Sequence, residues 1–313
     1  MENNLKKDDK FQSKKTFTEK IKNGFEKSTP YLYISPFYIL FIMFSLFPLI
    51  FSVVLALGKW DGIGEITYVG LANFRRLVQD LNFWRSLKNT IIIWFLGTFP
   101  MLFLSLIYAF LINQKFVKFK NALRTILFLP NVTSVVAITI LFGIIFANFG
   151  GLANGLLEFF GFDSINWLQS PFWVRIIIAL INIWMYMGYN MIIYLTGIIN
   201  IPDELYEAAS LDGASSWQMF RNITIPQLKP IIFFTVIMST IGGLQVFTEA
   251  QVLVPTGATP EGGAVTVMYY MYQNAFTNNQ YGYGSAIAWA MALVIVIISA
   301  INSYLTSRME GNK

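Results

Sequence analysis

Long hydrophobic stretches alternate with short polar segments along most of the chain. Six stretches are each about twenty residues or longer and carry almost no charge, which is the pattern of a helix that crosses a lipid bilayer. They are Tyr31–Leu57, Asn89–Gln114, Thr125–Leu157, Ile176–Pro202, Pro230 to about Val254, and about Ser285 to Thr306. The pattern predicts an all-α membrane protein with six transmembrane helices.

The composition supports a membrane protein and disfavours an enzyme. Hydrophobic residues make up 55% of the chain and charged residues 12%, whereas a soluble protein has about 25% charged residues. Cysteine and histidine are both absent. The chain therefore lacks the thiolate ligand, the commonest metal ligand and the commonest general base, and we expect no metal site and no catalytic residue.

The distribution of basic residues predicts the orientation in the membrane. Sixteen of the 22 lysines and arginines lie in residues 1–33, 115–124, 203–229 and 308–313. Cytoplasmic loops are enriched in these residues, so both termini and the 203–229 loop are expected in the cytoplasm. Residues 59–88, on the opposite side, carry five basic residues and oppose this assignment. Since the basic residues flank the spans, they indicate topology rather than a nucleic-acid site.

Three regions follow from this orientation. Residues 1–30 form a basic cytoplasmic tail, 31–308 a transmembrane domain, and 309–313 a second cytoplasmic tail. Within the outer 59–88 segment, apolar residues recur at helical spacing and predict a short amphipathic helix on the outer surface. These residues are Leu71, Phe74, Leu77 and Val78.

The polar loop at 203–226 predicts a helix, a glycine turn and a second helix. Acidic residues at its start favour a helix N-terminus there. Gly213 can adopt the left-handed conformation that ends a helix. Ser215 or Ser216 can cap the second helix, which Pro226 is expected to end.

Two features of this loop indicate a partner surface. The small side chains of Ala208 and Ala209 allow another protein to approach closely. Trp217 and Phe220 would be unfavourable if exposed to the cytoplasm, which indicates a covered face. Packing of the loop against its own transmembrane helices is the alternative.

The loop also carries a longer motif. Glu207-Ala208-Ala209 is followed after three residues by Gly213, and after nine more by Ile223-Thr224-Ile225-Pro226. This pattern resembles the E-A-A-x3-G-x9-I-x-L-P loop of ABC importer permeases, with Ile225 in place of the usual Leu. Five fixed residue types over about twenty positions rarely coincide by chance.

Further motifs resemble the maltose, lactose and glycerol-phosphate class of sugar permeases over residues 30–308. They include Val69-Gly70-Leu71-Ala72-Asn73-Phe74, Phe128-Leu129-Pro130, Pro202-Asp203-Glu204-Leu205-Tyr206 and Gly242-Gly243-Leu244-Gln245-Val246-Phe247. The resemblance implies the type I ABC importer permease fold, with six transmembrane helices and both termini cytoplasmic, in the cell membrane of a bacterium.

The resemblance also implies partners and residue roles. Glu207 would pair with a basic residue of an ATPase, and Gly213 would form the turn that enters the ATPase cleft. The expected ATPase-coupling residues are Glu207, Ala208, Ala209, Asp212, Gly213, Ala214, Phe220 and Pro226. ATP and Mg²⁺ would bind to a separate ATPase dimer, because this chain has no G-x-x-x-x-G-K-[ST] phosphate loop. A sister permease, forming a heterodimer, and an extracellular solute-binding protein are the other expected partners.

Polar side chains within two predicted spans indicate a substrate path. Asn182, Tyr186 and Tyr189 fall at i, i+4 and i+7 and so share one helical face. The full set of candidates is Asn182, Tyr186, Tyr189, Ser239, Gly243, Gln245 and Glu249. Amides that pair hydroxyl groups, and aromatic rings that cover a pyranose, are what a sugar requires. Hydrogen bonds between helices explain polar residues in spans equally well.

The sequence therefore predicts the permease subunit of an ATP-driven importer for a carbohydrate, such as a di- or oligosaccharide. An importer for another solute, such as glycerol phosphate or a polyamine, is the alternative within transport. A stand-alone channel or secondary carrier is a different class, and it predicts an inverted repeat or intramembrane titratable groups. Glu249 is the only acidic residue within the predicted spans and no repeat is evident, so that class is disfavoured.

Overall fold

The chain divides into two compact units, Met1–Leu55 and Ala56–Lys313. The computed structural model describes residues 31–114, 116–255 and 262–310, and the tail predicted at 1–30 lies outside them. The first unit contains most of helix α1 (Tyr31–Ala56), which has one wider π-helical turn at Ile42–Leu46. Most apolar side chains of α1 are exposed, as expected for a helix that faces lipid.

The second unit opens with a hairpin and a short helix. These elements are β1 (Gly58–Lys59), its antiparallel partner β2 (Thr67–Tyr68) and α2 (Ala72–Gln79). The side-chain amide of Asn73 donates hydrogen bonds of 2.9 Å to the carbonyls of Ala56 and Gly58, which holds α2 against the hairpin. The amphipathic helix predicted in this segment is confirmed, although its Leu77 is buried and its Val78 is exposed.

Helices make up most of the remaining unit. They are α3 (Leu81–Asn113), α4 (Lys120–Val132), α5 (Val135–Ile145), α6 (Leu152–Phe159), α7 (Pro171–Ile199), α8 (Asp203–Leu211), α9 (Ser216–Gln227), α10 (Lys229–Gly243), α11 (Thr248–Leu253), α12 (Val267–Tyr272) and α13 (Tyr281–Glu310). A π-helical turn at Phe220–Thr224 lies within α9, and another at Gln273–Thr277 extends α12. The predicted helical class is confirmed.

Four helices are long and apolar enough to cross a membrane: α1, α3, α7 and the Tyr281–Tyr304 part of α13. Two further pairs pass the same test only as bent units. The bend is 96° between α4 and α5 and 72° between α9 and α10. The described residues thus hold four to six spans, and the predicted count of six and the cytoplasmic termini stay predictions.

The continuous third span predicted at Thr125–Leu157 is wrong. The backbone is extended at Thr133, where α4 and α5 part, and α5 already ends at Ile145. Pro130 supplies no backbone N–H to α4, and the Thr133 hydroxyl donates to the Leu129 carbonyl (3.1 Å). Both features weaken the helix at this point.

The fifth predicted span is also interrupted, and several spans, among them the second and the sixth, begin early. The fifth stops at Gly243, because two consecutive glycines weaken a helix interior, and α11 starts afresh at Thr248. The second span begins at Leu81, since Asp80 caps it by accepting hydrogen bonds from two backbone N–H groups. The sixth begins at Tyr281 rather than near Ser285.

Helix α7 lies at the centre of the unit. It packs along α3 and against α4, and its buried apolar residues are Val174, Ile177, Ile178, Ala179, Ile181, Met185, Met191, Tyr194, Leu195 and Ile198. Gly188 lies where α7 approaches α4 closely, because a Cβ atom there would lie 1.9 Å from the Leu127 carbonyl oxygen. The helices therefore touch backbone to backbone at this point.

A polar cluster ties the ends of α2, α3, α12 and α13 together. The hydroxyl of Tyr270 donates to the Asp80 carboxylate (2.6 Å), and the Tyr283 hydroxyl donates to the same oxygen. The Arg76 guanidinium lies 3.8 Å from the centre of the Tyr283 ring and donates to the Gln280 amide oxygen (2.8 Å). Asp80 is thus the common acceptor for elements that are far apart in sequence.

Asp80→Asn is expected to destabilise the protein near neutral pH by about 1–3 kcal/mol, because hydrogen bonds to a charged acceptor are lost. Burial raises the pKa of Asp80, but the Tyr270, Tyr283 and backbone hydrogen bonds lower it by more, so the pKa lies below its ordinary value of 3.8. A depressed pKa stabilises the folded state above the ordinary pKa, and this contribution is lost as pH falls through the folded pKa.

Thermal unfolding in detergent between neutral pH and pH near 3 measures this contribution of Asp80. We expect the wild-type advantage over Asp80→Asn to shrink towards the acid end. Asp163→Asn, at an exposed position, is the matched control and should follow the wild type. A difference between Asp80→Asn and wild type that does not change with pH would contradict this role.

Candidate functional site

A cavity of about 440 Å³ lies between α3, α7, α10 and α11. All seven residues predicted for a substrate path line it: Asn182, Tyr186, Tyr189, Ser239, Gly243, Gln245 and Glu249. The structure therefore brings the two predicted sets together in one place. Their role in substrate passage remains a prediction.

The α7 wall supplies amides and aromatic rings. Tyr186 and Tyr189 are 38% and 46% exposed, so their rings are accessible to a bound molecule. The amide nitrogen of Asn182 donates to the Ile178 carbonyl (2.9 Å), which fixes the side chain on this face. Asn190, one turn below Tyr186, also lines the cavity and donates to the Tyr186 carbonyl (3.1 Å).

The opposite wall is formed at the break between α10 and α11. Ser239 and Gly243 lie on the last turns of α10, Gln245 lies in the break, and Glu249 lies in the first turn of α11. The break leaves Gln245 exposed while Glu249 is only 5% exposed. Because the sequence pattern predicted one continuous helix here, it did not foresee this arrangement.

Helix α3 adds a third wall that sequence analysis missed. Its lining residues follow a helical stripe: Ile93, Trp94, Gly97, Thr98 and Met101. The spacing of Trp94, Thr98 and Met101 was the signal that could have found this face. The buried indole nitrogen of Trp94 has no hydrogen-bond partner in the described part of the chain.

Gly243 allows α10 to approach α3 closely. A Cβ atom at Gly243 would lie 2.6 Å from the Thr98 hydroxyl oxygen and 2.9 Å from Trp94 Cδ1. Gly242, in contrast, has nothing within 4 Å of such an atom. Gly243 is therefore needed for helix packing as well as lining the cavity.

The cavity carries a single charged side chain. Among its lining residues there is no Lys or Arg, and Glu249 is the only acid. Within residues 31–114, 116–255 and 262–310, no three His, Cys, Asp or Glu side chains cluster as metal ligands would. Hydroxyl, amide and aromatic groups are what this site offers to a ligand.

The predicted glycine turn lies between α8 and α9. Gly213 has a φ of +77°, the left-handed conformation that a residue with a side chain adopts at a cost. Its N–H donates to the Ser210 carbonyl (3.1 Å), and the N–H of Ala214 donates to the Ala209 carbonyl (2.9 Å). These two bonds complete the Schellman motif and close the end of α8.

The start of α9 is also as predicted, but its end is not. Ser215 accepts a hydrogen bond from the Gln218 N–H (3.3 Å), and its own N–H donates to the Gln218 side chain (2.7 Å). Pro226 was expected to end the helix, yet α9 continues to Gln227. The wider turn at Phe220–Thr224 already interrupts the usual bonding pattern, which makes proline tolerable just after it.

Most of the predicted coupling residues are accessible. Exposed residues are Glu207, Ala208, Asp212, Gly213 and Pro226, and half-buried ones are Ala209 and Ala214. Two apolar side chains beside them are also exposed: Leu211 by 90% and Trp217 by 62%. The loop therefore presents an apolar surface next to acidic residues.

Phe220 is the exception among the coupling residues. Its side chain is 2% exposed, and its ring centroid lies 4.7 Å from that of Phe110 near the end of α3. The expectation that Phe220 belongs to the docking surface is wrong, because the chain's own helix covers it. Phe220 instead anchors the loop to α3.

The loop directly joins two walls of the cavity. Helix α8 begins at Asp203, shortly after α7 ends at Ile199, and α10 begins at Lys229, just after α9. The walls are packed closely beside the loop, because a Cβ atom at Gly197 of α7 would lie 2.5 Å from the Leu228 side chain. Farther from the loop, the hydroxyls of Tyr194 in α7 and Thr235 in α10 lie 2.6 Å apart.

Residues 101–311 match the family model described as the binding-protein-dependent transport system inner membrane component. This match covers more than half of the chain and includes both the loop and most of the cavity wall. The chain belongs to this family. The permease is therefore a multi-pass membrane protein, and the resemblance seen in its motifs is confirmed.

Two relatives extend the likeness to nearly the whole permease. The permease is 34% identical over 287 residues to the arabinooligosaccharides transport system permease protein AraP of Bacillus subtilis (strain 168), and the match covers 91% of each chain. It is 35% identical over 277 residues to the lactose transport system permease protein LacF of Rhizobium radiobacter, covering 88% of the permease and 92% of that protein.

A solved structure shares the fold. It is a bacterial alginate ABC transporter in complex with an alginate pentasaccharide-bound periplasmic protein. The matched chain is 26% identical, with a TM-score of 0.81 over 92% of the permease and 98% of that chain. The likeness to ABC importer permeases expected from the motifs thus extends to the three-dimensional structure.

Proposed function

We propose that the permease is one membrane half of an ATP-driven importer for a neutral di- or oligosaccharide, coupled to separate ATPase subunits through the 203–226 loop. The observation that carries this proposal is the continuity of the loop with two cavity walls. Motion of the loop is transmitted to α7 and α10, which hold the candidate substrate residues.

The loop is built to move as one piece. The hydroxyls of Tyr206 in α8 and Thr224 in α9 lie 2.8 Å apart and join the two short helices. Burial raises the pKa of Tyr206 above its ordinary value, so the hydroxyl stays protonated at physiological pH. Because the Phe220 ring packs against Phe110, closure of the ATPase dimer would rock the loop and its helices as a rigid body.

The partners follow from the exposed surfaces and from the relatives. Leu211, Trp217 and Glu207 would dock on an ATPase dimer that binds the ATP and Mg²⁺. The solved alginate transporter carries a periplasmic binding protein, which supports a solute-binding partner outside the membrane. A sister permease would complete the pathway. We place the loop and both termini in the cytoplasm of a bacterium and the permease in its cell membrane.

The cavity favours a neutral saccharide over the other solutes considered. A phosphate group would need cations or backbone N–H donors, and no Lys or Arg lines the cavity. A polyamine would need several carboxylates, and Glu249 is alone. The relatives transport arabinooligosaccharides and lactose by name, which supports the same class here.

Photo-crosslinking from the loop tests the coupling role. Because the chain has no cysteine, Leu211→Cys creates its only thiol, which can carry a maleimide-benzophenone probe. We expect an adduct with an ATPase subunit. Leu156→Cys on α6, also exposed, is the control and should give none. Adducts of Leu211→Cys with lipid or permease alone would contradict the proposal.

Asn182→Ala is expected to lower ATP-dependent uptake of a neutral oligosaccharide by about tenfold, because one hydrogen bond to the substrate is lost. Asn200→Ala is the matched control. Asn200 makes the same hydrogen bond to the carbonyl four residues earlier (2.9 Å), but it is exposed at the end of α7. Equal uptake rates by both variants would remove Asn182 from the substrate path.

A further inference from the structure

The cavity lining has no positively charged side chain, which limits the substrates that it can bind. The lining contains five aromatic rings and several amides and hydroxyls, but its only charged residue is Glu249. The chain also has no histidine. A bound molecule that carries a negative charge would therefore find no cation on the walls that this chain supplies.

Glu249 lies where it would meet such a charge. It is 5% exposed, in the first turn of α11, and it lines the same cavity as Tyr186. Tyr186 is 38% exposed. A saccharide that covers the Tyr186 ring would thus share the cavity with the carboxyl group of Glu249.

Acidic and neutral saccharides are expected to bind to such a site with very different affinities. Each uronate ring carries one carboxylate, which loses its hydration on entry and needs a cation or several donors in return. A second carboxyl group nearby adds repulsion. Neutral hydroxyl groups, in contrast, are satisfied by residues such as Asn182, Ser239 and Gln245.

We propose that Glu249 is a specificity-determining residue that excludes acidic saccharides, so that the permease passes neutral ones. This inference rests on the proposed function and assigns the selection against acidic saccharides to one residue. It distinguishes the permease from the alginate transporter, which shares its fold at a TM-score of 0.81 but handles an acidic polysaccharide. The discrimination lies in the cavity, apart from any selection by a binding protein.

The test compares two sugars that differ only at C6. β-1,4-Mannotetraose has a hydroxymethyl group there and the β-1,4-mannuronate tetramer has a carboxylate. Saturation-transfer NMR on the purified transporter complex, held with ATP and vanadate and without binding protein, reports binding of each. We expect the neutral tetramer to bind at least about tenfold more tightly. Equal or tighter binding of the acidic tetramer would overturn the proposal.

Two variants test whether the preference for the neutral tetramer depends on Glu249 and on the charge of the cavity. Glu249→Gln removes the acid with little change in shape, and we expect the neutral-to-acidic ratio to fall several-fold. Gln245→Arg, at an exposed position, adds a cation without altering a buried residue and should lower the ratio as well. A ratio that Glu249→Gln leaves unchanged would overturn the role of Glu249, whatever Gln245→Arg does.

Three further outcomes show whether the inference fails alone or together with the proposed function. A cationic chitosan tetramer that binds more weakly than neutral cellotetraose would show that Glu249 exerts no effective negative charge in the cavity, and would overturn the inference while transport by the permease stands. If no saccharide, neutral or acidic, binds and ATP-dependent saccharide uptake is also absent, the proposed function fails together with the inference. Uptake of neutral saccharides with uptake of mannuronate at a similar rate would contradict the inference alone.

Discussion

Gly213→Pro is expected to reduce ATP-dependent saccharide uptake to background. Gly213 has a φ of +77°, whereas the proline ring holds φ near −65°. The backbone must therefore rotate at the turn, and the hydrogen bonds that close α8 are lost. An incompatible proline costs about 3 kcal/mol or more, and α9 would leave α8 in a different direction.

Uptake in proteoliposomes and ATP hydrolysis by the same complex measure this effect together. We expect hydrolysis to become insensitive to substrate, because the loop no longer transmits motion to α7 and α10. Gly213→Asn is the matched control, since asparagine tolerates the left-handed conformation better than most residues, and it should retain most of the uptake. Wild-type uptake by Gly213→Pro would show that the turn has no part in coupling.

Gly188→Ala is expected to destabilise the membrane domain strongly. The added Cβ atom would lie 1.9 Å from the Leu127 carbonyl oxygen, 2.4 Å from its carbon and 2.8 Å from the Phe128 nitrogen. All three are backbone atoms, so they cannot move aside as a flexible side chain would. Helices α4 and α7 would have to separate, at a cost of about 3 kcal/mol or more.

Thermal unfolding of the purified protein in detergent measures the cost at Gly188. Gly155→Ala is the matched control, because Gly155 lies in helix α6 and a Cβ atom there meets nothing within 4 Å. That change should be neutral or stabilise slightly, since alanine is the better helix former. If both variants melted at the same temperature, the close contact of α4 with α7 would not be a feature of the protein.

Much of the fold could be predicted because lipid imposes a simple pattern. Uncharged stretches of sufficient length identified the helices later seen as α1, α3, α7 and α13. The same pattern could not locate the breaks near Thr133 and Gly243, because uncharged residues continue through both. Such breaks depend on Pro130, the glycine pair and local hydroxyl groups, and their effects are weaker than the hydrophobic signal.

The candidate site was predictable in part for a similar reason. Helical spacing placed Asn182, Tyr186 and Tyr189 on one face, and the structure puts that face on the cavity. The burial of Phe220 could not be read from the loop, since its partner Phe110 is far away in sequence and belongs to another span. Contacts of this kind appear only when the helices are packed.

Reconstituted uptake is the most direct test of the central claim, that this chain is one membrane half of an ATP-driven saccharide importer. The permease, a sister permease, an ATPase dimer and a binding protein would be co-purified and placed in liposomes with a labelled neutral oligosaccharide. We expect uptake that requires ATP and stops when the ATPase is omitted. Uptake by the permease alone, without ATP or partners, would contradict it and identify a channel or secondary carrier.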